Sequence, residues 1–175
     1  MNPIHGQLVL KLSELRDAWT RVLQAFDDWI YYESAEFGPW TSYFSMESLR
    51  DLTSRERLGW IYNMRDEVIP GRVEKCRQAG VALEDFMPYM PDPDAMDTVR
   101  SMMDLNSIIE HSMLRMSDVF DTMIHEYSEG GLDEIVVSLS ILAETEEDIR
   151  NHMSMFSSGF GKLKALGLEL PEDLT

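Results

Sequence analysis

Beginning at Val99, apolar residues recur at steps of three and four through Met102, Ile109, Met113, Met116, Phe120, Met123 and Tyr127, with Asn106 in the same register. That spacing places them all on one side of a helix and is incompatible with a strand, whose faces alternate at every residue. Gly130 and Gly131 mark a tight turn. Beyond it Leu132, Ile135, Leu139, Leu142, Glu146, Ile149, Met153, Phe156, Phe160 and Leu163 take up the same rhythm. Two such stripes joined by a short turn predict an antiparallel helical hairpin with arms about 45–50 Å long at 1.5 Å per residue. Stripes of this length must be covered, so the rest of the chain has to supply further helices.

The first half meets that need. Asn2 before Pro3 reads as a cap and first turn, and Leu8, Leu12, Leu15, Trp19, Val22, Phe26 and Trp29 predict a helix to about Glu36, ended by Gly38 and Pro39. Ser45 is placed to cap a short turn. Thr53 and Glu56 have the spacing of a capping box, opening a second helix through Leu58, Ile61, Met64 and Val68. Pro70 and Gly71 interrupt it, and Val73 and Cys76 carry the apolar face on, so either a kink or a second short helix should reach Gly80. Residues 81–94, with Pro88, Pro91 and Pro93, read as a long connector in which Asp92 and Pro93 repeat the cap signal. The expected fold is all-α: one domain of 175 residues, an antiparallel four-helix bundle whose helices 3 and 4 form the hairpin. Its parts are helices 1 and 2 in residues 1–80, the connector 81–94, and the hairpin with its tail in residues 95–175. Gly159 and Gly161 are placed to break the last turns, and residues 166–175 to lie along one end.

Charge divides the same way. Residues 1–80 hold 10 basic and 12 acidic side chains, residues 81–175 hold 5 and 20, and the whole chain sums to −17. This excess works against duplex nucleic acid or anionic lipid as a direct ligand, since phosphate binding relies on cations displacing counterions. At 100° per residue, Asp97, Asp104, Asp118, Glu126 and Glu129 fall on the outer side of helix 3, and Asp133, Glu144, Glu147 and Asp148 on the outer side of helix 4. Acids three or four apart on a helix lie about 5–6 Å from one another, close to the spacing of successive phosphates. A solvated face that keeps the protein dispersed is the plainer account of such acids. Against it stands cost: within the two helices up to His152 only Arg100, Arg115 and Arg150 offset the repulsion. A basic partner would explain why it is kept.

Three polar residues stand where apolar ones are due: Glu33, Asn106 and Glu146. Facing carboxylates in a helical bundle are how ferritin-like metal enzymes are built, with a Glu-x-x-His pair on two helices. No such pair occurs, and His111 and His125 project outward. Glu33 and Glu146 therefore stand only as the alternative metal reading. Glu146 lies four residues before Arg150, in favourable order for an ion pair, and an Asn in a seam more often fixes register. Met102, Met113, Met116 and Met123 are too spread out for a copper(I) site and read as core. The aromatic run of residues 29–44, including Tyr32 and Trp40, is either a small second core or an interface patch.

Glycine-rich phosphate loops, a Gly-x-Ser-x-Gly elbow, Cys-x-x-Cys and His-Glu-x-x-His motifs are absent. Cys76 is the single cysteine and has no His in its helix to activate it. Residues 1–12 lack the pattern of a secretion signal, and the longest apolar run, 135–143, is short and carries Ser138 and Ser140, so a cytoplasmic protein off the membrane is expected. The leading expectation is a non-enzymatic acidic protein without cofactor. It would inhibit a basic, nucleic-acid-binding partner through Asp97, Asp104, Asp118, Glu126, Glu144, Glu147, Asp148, Tyr32 and Trp40. A metal-dependent bundle enzyme is the alternative, and an oligomerising adaptor, including a homodimer, is a further one.

Overall fold

The computed structural model describes residues 3–168, with the backbone alone at residues 8 and 9. The expected cap at Asn2, the Leu8 side chain and the tail beyond residue 168 lie outside the described residues. The helices are α1 (Pro3–Tyr32), α2 (Met46–Arg50), α3 (Ser54–Asn63), α4 (Ile69–Phe86), α5 (Pro93–Gly130), α6 (Val136–Ser154) and α7 (Phe156–Ala165), and no strand occurs among the described residues. The protein is an all-α bundle. α1 lies against α4, α4 against α5, and α5 against both α6 and α7. Rings on α1 meet rings on α7, Phe26 with Phe156 and Phe160 at 4.9 Å between centroids.

The caps form as their residue types require. Thr53 Oγ1 accepts from the Glu56 N–H while the Glu56 carboxylate accepts from the Thr53 N–H. Those bonds favour the charged carboxylate and hold the Glu56 pKa below its usual value. Asp92 accepts from the Ala95 N–H at 2.8 Å. Gly131 takes φ 78°, a conformation open to glycine, and its N–H closes α5 on the Tyr127 carbonyl. All nine seam positions of α5 from Val99 to Tyr127 are buried.

Two π turns, Glu33–Phe37 and Met64–Val68, interrupt this regularity, and a proline follows each by two residues. Pro39 and Pro70 have no N–H to give the carbonyls of Ala35 and Asp66, and their rings crowd those carbonyls, so the α ladder is interrupted in the turn before each. It is reset one residue wider, with Gly38 N–H on the Glu33 carbonyl and Ile69 N–H on that of Met64. At Pro70, where the sequence predicts either a kink or a second short helix to Gly80, the chain passes through the π turn into α4, which runs beyond Gly80 to Phe86.

Other expectations are corrected. Residues 81–94 are not a long loop: α4 runs to Phe86 because Ala82, Leu83 and Phe86 continue its buried face, and a short 3-10 turn, Met87–Tyr89, absorbs Pro88. The hairpin arms are unequal. α5 has 38 residues, about 57 Å at 1.5 Å per residue, whereas the second arm breaks at Met155 and continues as α7 through Gly159 and Gly161. The first stripe is buried only from Trp19 onward. Leu12 is 57% and Ile4 68% exposed, because α4 ends at Phe86, opposite Trp19, and only the turn around Pro88 and Tyr89 borders α1 at Leu12 and Leu15.

Candidate functional site

Glu33 and Glu146, far apart in sequence, do converge, and between them stands Arg72. Its Nε donates to Glu33 Oε1 at 2.8 Å, and its Nη1 and Nη2 donate to the two oxygens of Glu146 at 2.7 and 3.1 Å. The guanidinium carbon lies 3.7 Å from the centre of the Phe37 ring, and Met116 Sδ is 3.7 Å from Nη1. Trp29 Nε1 donates to Glu33 and Arg150 Nε to Glu146, each at 2.9 Å. Arg72 is fully buried. Burial alone would lower its pKa, but the carboxylates of Glu33 and Glu146 outweigh burial and raise it. The π turn at Glu33–Phe37 lets both residues face this cation, and the second π turn sets the register from which Arg72 enters.

Sequence reasoning passed over Arg72. Val68, Arg72 and Cys76 follow one another at steps of four, so a signal was there. A metal ion between Glu33 and Glu146 would have to displace a cation held by four hydrogen-bonding or stacking partners. Among the described residues no group of three or more His, Cys, Asp or Glu side chains is placed to share a metal.

Asn106 lies elsewhere, on the Cys76 level. Its Nδ2 donates to the Cys76 carbonyl at 3.0 Å, and Cys76 Sγ points back at the Asn106 carbonyl, 3.6 Å away. A Cβ on Gly80 would stand 2.6 Å from Asn106 Oδ1, so glycine lets α4 and α5 close on this contact. Burial, with the Glu110 carboxylate adding to it, pushes the Cys76 thiol pKa up to about 12, which removes its nucleophilicity.

Of the acids singled out on the hairpin, Asp97, Asp104, Asp118, Glu144, Glu147 and Asp148 are exposed. Asp97 pairs with Arg100 at 2.7 Å. Asp104, Asp118, Glu144, Glu147 and Asp148 make no ion pair among the described residues. Glu126 is only half-exposed and accepts from Ser138 Oγ at 3.1 Å, tying α5 to α6 rather than facing outward. On the other flank of α5, Arg77 reaches Glu110 at 2.6 Å and Arg65 reaches Asp121 at 3.7 Å. His111 and His125 are exposed, as their spacing requires.

The aromatic run packs inward for the most part. Trp40 meets Tyr43 and Tyr43 meets Trp60 in tilted ring contacts, and Phe44 bridges Phe37, Trp60 and Phe120. Tyr32 is half-buried and donates its hydroxyl to the Val68 carbonyl at 2.8 Å, so that hydroxyl is engaged within the fold. Its pKa is raised by burial first and by Glu36 and Glu33 next.

Three concavities are relevant. A groove of about 700 Å³ between α5 and the α6–α7 break carries Asp94, Asp97, Ser101, Ser158 and Lys162. An apolar one of about 310 Å³ lies between Trp19, Phe26 and Ile30 on α1 and Phe160 on α7. A third, about 430 Å³, opens beside Glu146. No described helix is long and apolar enough to cross a membrane. No protein-family model matches this chain, and neither a curated protein nor a solved structure matches it significantly.

Proposed function

We propose that the protein is an acidic interaction protein that covers a basic, nucleic-acid-binding surface of a partner protein and so inhibits it. The observation that carries this reading is the one-sided charge: Asp104, Asp118, Glu144, Glu147 and Asp148 are exposed on α5 and α6 with no ion pair among the described residues, while Arg65, Arg72 and Arg77 are all engaged with carboxylates. Uncompensated like charge opposes folding and gains its return when a cationic surface covers it. No catalytic group is required, and the protein works by occupying the site that a polyanion would take.

The test is competition. A partner captured on the immobilised chain is identified, and its nucleic acid is then titrated into the purified complex. The proposal expects mutually exclusive binding and an affinity for this chain that falls as salt rises. A ternary complex that forms without loss of either ligand overturns it.

A further inference from the structure

We infer that the cavity beside Glu146 is the anchor point of the partner interface and receives an arginine side chain of the basic partner. This rests on the function proposed above and gives it one residue-level contact. The cavity lies between the 3-10 turn Gly38–Tyr43 and α6, and Thr41, Phe44, Ala143, Glu146, Glu147 and Arg150 contribute to its wall. At about 430 Å³ it falls within the range of sites that hold a small ligand, enough for one long side chain.

Its chemistry follows from what surrounds Glu146. That residue is 6% exposed, yet it forms part of the wall. Arg72 grips both of its oxygens from inside the bundle, so the carboxylate cannot turn away. From the outer side Oε1 accepts from Arg150, one helical turn on, whose side chain is 62% exposed and is held there by Nε alone. A guanidinium thus already fills the outer acceptor position, and it is one that can swing into solvent. A partner arginine takes its place, exchanging one guanidinium for another and leaving the charge of the buried network unchanged. Glu147 offers a second carboxylate, and Phe44 an aromatic wall against which a planar cation packs. A lysine ammonium lacks the fork geometry and fits less well. The depression is open to solvent, and a partner that covers it would desolvate the arginine there, the setting in which arginine is a common interface anchor. None of the other concavities among the described residues, including one of about 390 Å³ between Leu12, Leu15, Pro88 and Tyr89, has a buried charged group in its wall.

The experiment titrates the full, isotope-labelled chain with Nα-acetyl-arginine amide and, separately, with Nα-acetyl-lysine amide, reading backbone amide shifts. Saturable shifts are expected at Thr41, Phe44, Ala143 and Glu147, with the lysine probe weaker by about tenfold for the lost charge-assisted fork. Ala143→Phe fills the cavity from an exposed position, so the remaining spectrum should be unchanged while arginine binding drops by at least about tenfold. Arg150→Ala removes the internal competitor and should tighten binding by a few fold. The inference is overturned by an absence of saturable shifts in the unmodified chain, by shifts spread along Asp104, Asp118 and Asp148 instead of the cavity, or by weaker binding in Arg150→Ala. If partner binding survives Ala143→Phe but is lost when Asp104, Asp118 and Asp148 are changed to Lys, the anchor is wrong and the acidic-face function stands.

Discussion

In the arm that runs from α1 through α3 to α4, one cation is drawn into the structure, Arg72 at the centre of the bundle, while Arg65 and the more exposed Arg77 cross to carboxylates on α5. On the α5–α6 arm, with Glu146 the buried exception, most of the anions lie toward solvent, and Asp104, Asp118, Glu144, Glu147 and Asp148 make no ion pair among the described residues. Both arms bury an apolar stripe of the same period, so the contrast is not one of packing. It shows that charge can serve as a component of the core only where every donor and acceptor is matched, whereas unmatched charge is tolerated at a surface and is free to serve another purpose.

This difference can be broken from either side. The largest effect is expected where a charge enters the α5 seam without a partner. Ile109 is fully buried, and Ile109→Asp should abolish the cooperative thermal transition seen by circular dichroism, an effect above about 4 kcal/mol. Next is removal of the buried cation: Arg72→Met leaves Glu33 and Glu146 facing each other and should cost about 3–5 kcal/mol in urea denaturation. Adding Glu33→Gln and Glu146→Gln should restore part of it. Gly80→Ala forces a Cβ against Asn106 and should cost about 1–3 kcal/mol by the same measurement.

Tyr32→Phe keeps the ring and loses the hydrogen bond to Val68, a change of about 1 kcal/mol. Because the Tyr32 pKa is raised in the fold, its contribution is intact below the free tyrosine value of about 10 and is lost as pH rises through the higher folded value. The unmodified protein should therefore lose stability in that alkaline range, and Tyr32→Phe should lose less. The smallest effect belongs to the thinly covered first turns of α1, where Leu12→Ser at a mostly exposed position should shift stability by no more than about 0.5 kcal/mol.

The α5 seam was legible from its periodicity because packing and local preference agree at every step from Val99 to Tyr127. The capping residues Thr53, Glu56 and Asp92 were legible for a similar reason, since their side chains act within one turn. Residues 81–94 misled because three prolines outweighed Ala82, Leu83 and Phe86, which still had a buried face to follow. Leu12 misled because a stripe does not reveal how far its covering helices extend. Arg72 was hidden by its neighbours: Pro70 and Gly71 read as a break, and only the π turn shows how the chain passes them and brings a cation to Glu33 and Glu146. No spacing rule on one helix encodes a site assembled from α1, α4 and α6.

The claim that the outward acids are a recognition surface is tested most directly by partner affinity, at low and physiological salt, for a variant with Asp104, Asp118, Glu144 and Asp148 all changed to Lys, beside Trp40→Ala. These four side chains are exposed, so the variant should fold normally. The account predicts that it loses binding, that the unmodified chain binds more weakly at the higher salt, and that Trp40→Ala retains most of its affinity. Binding that survives the four reversals, ignores salt and disappears in Trp40→Ala would contradict it and leave the acidic face as a solvated surface.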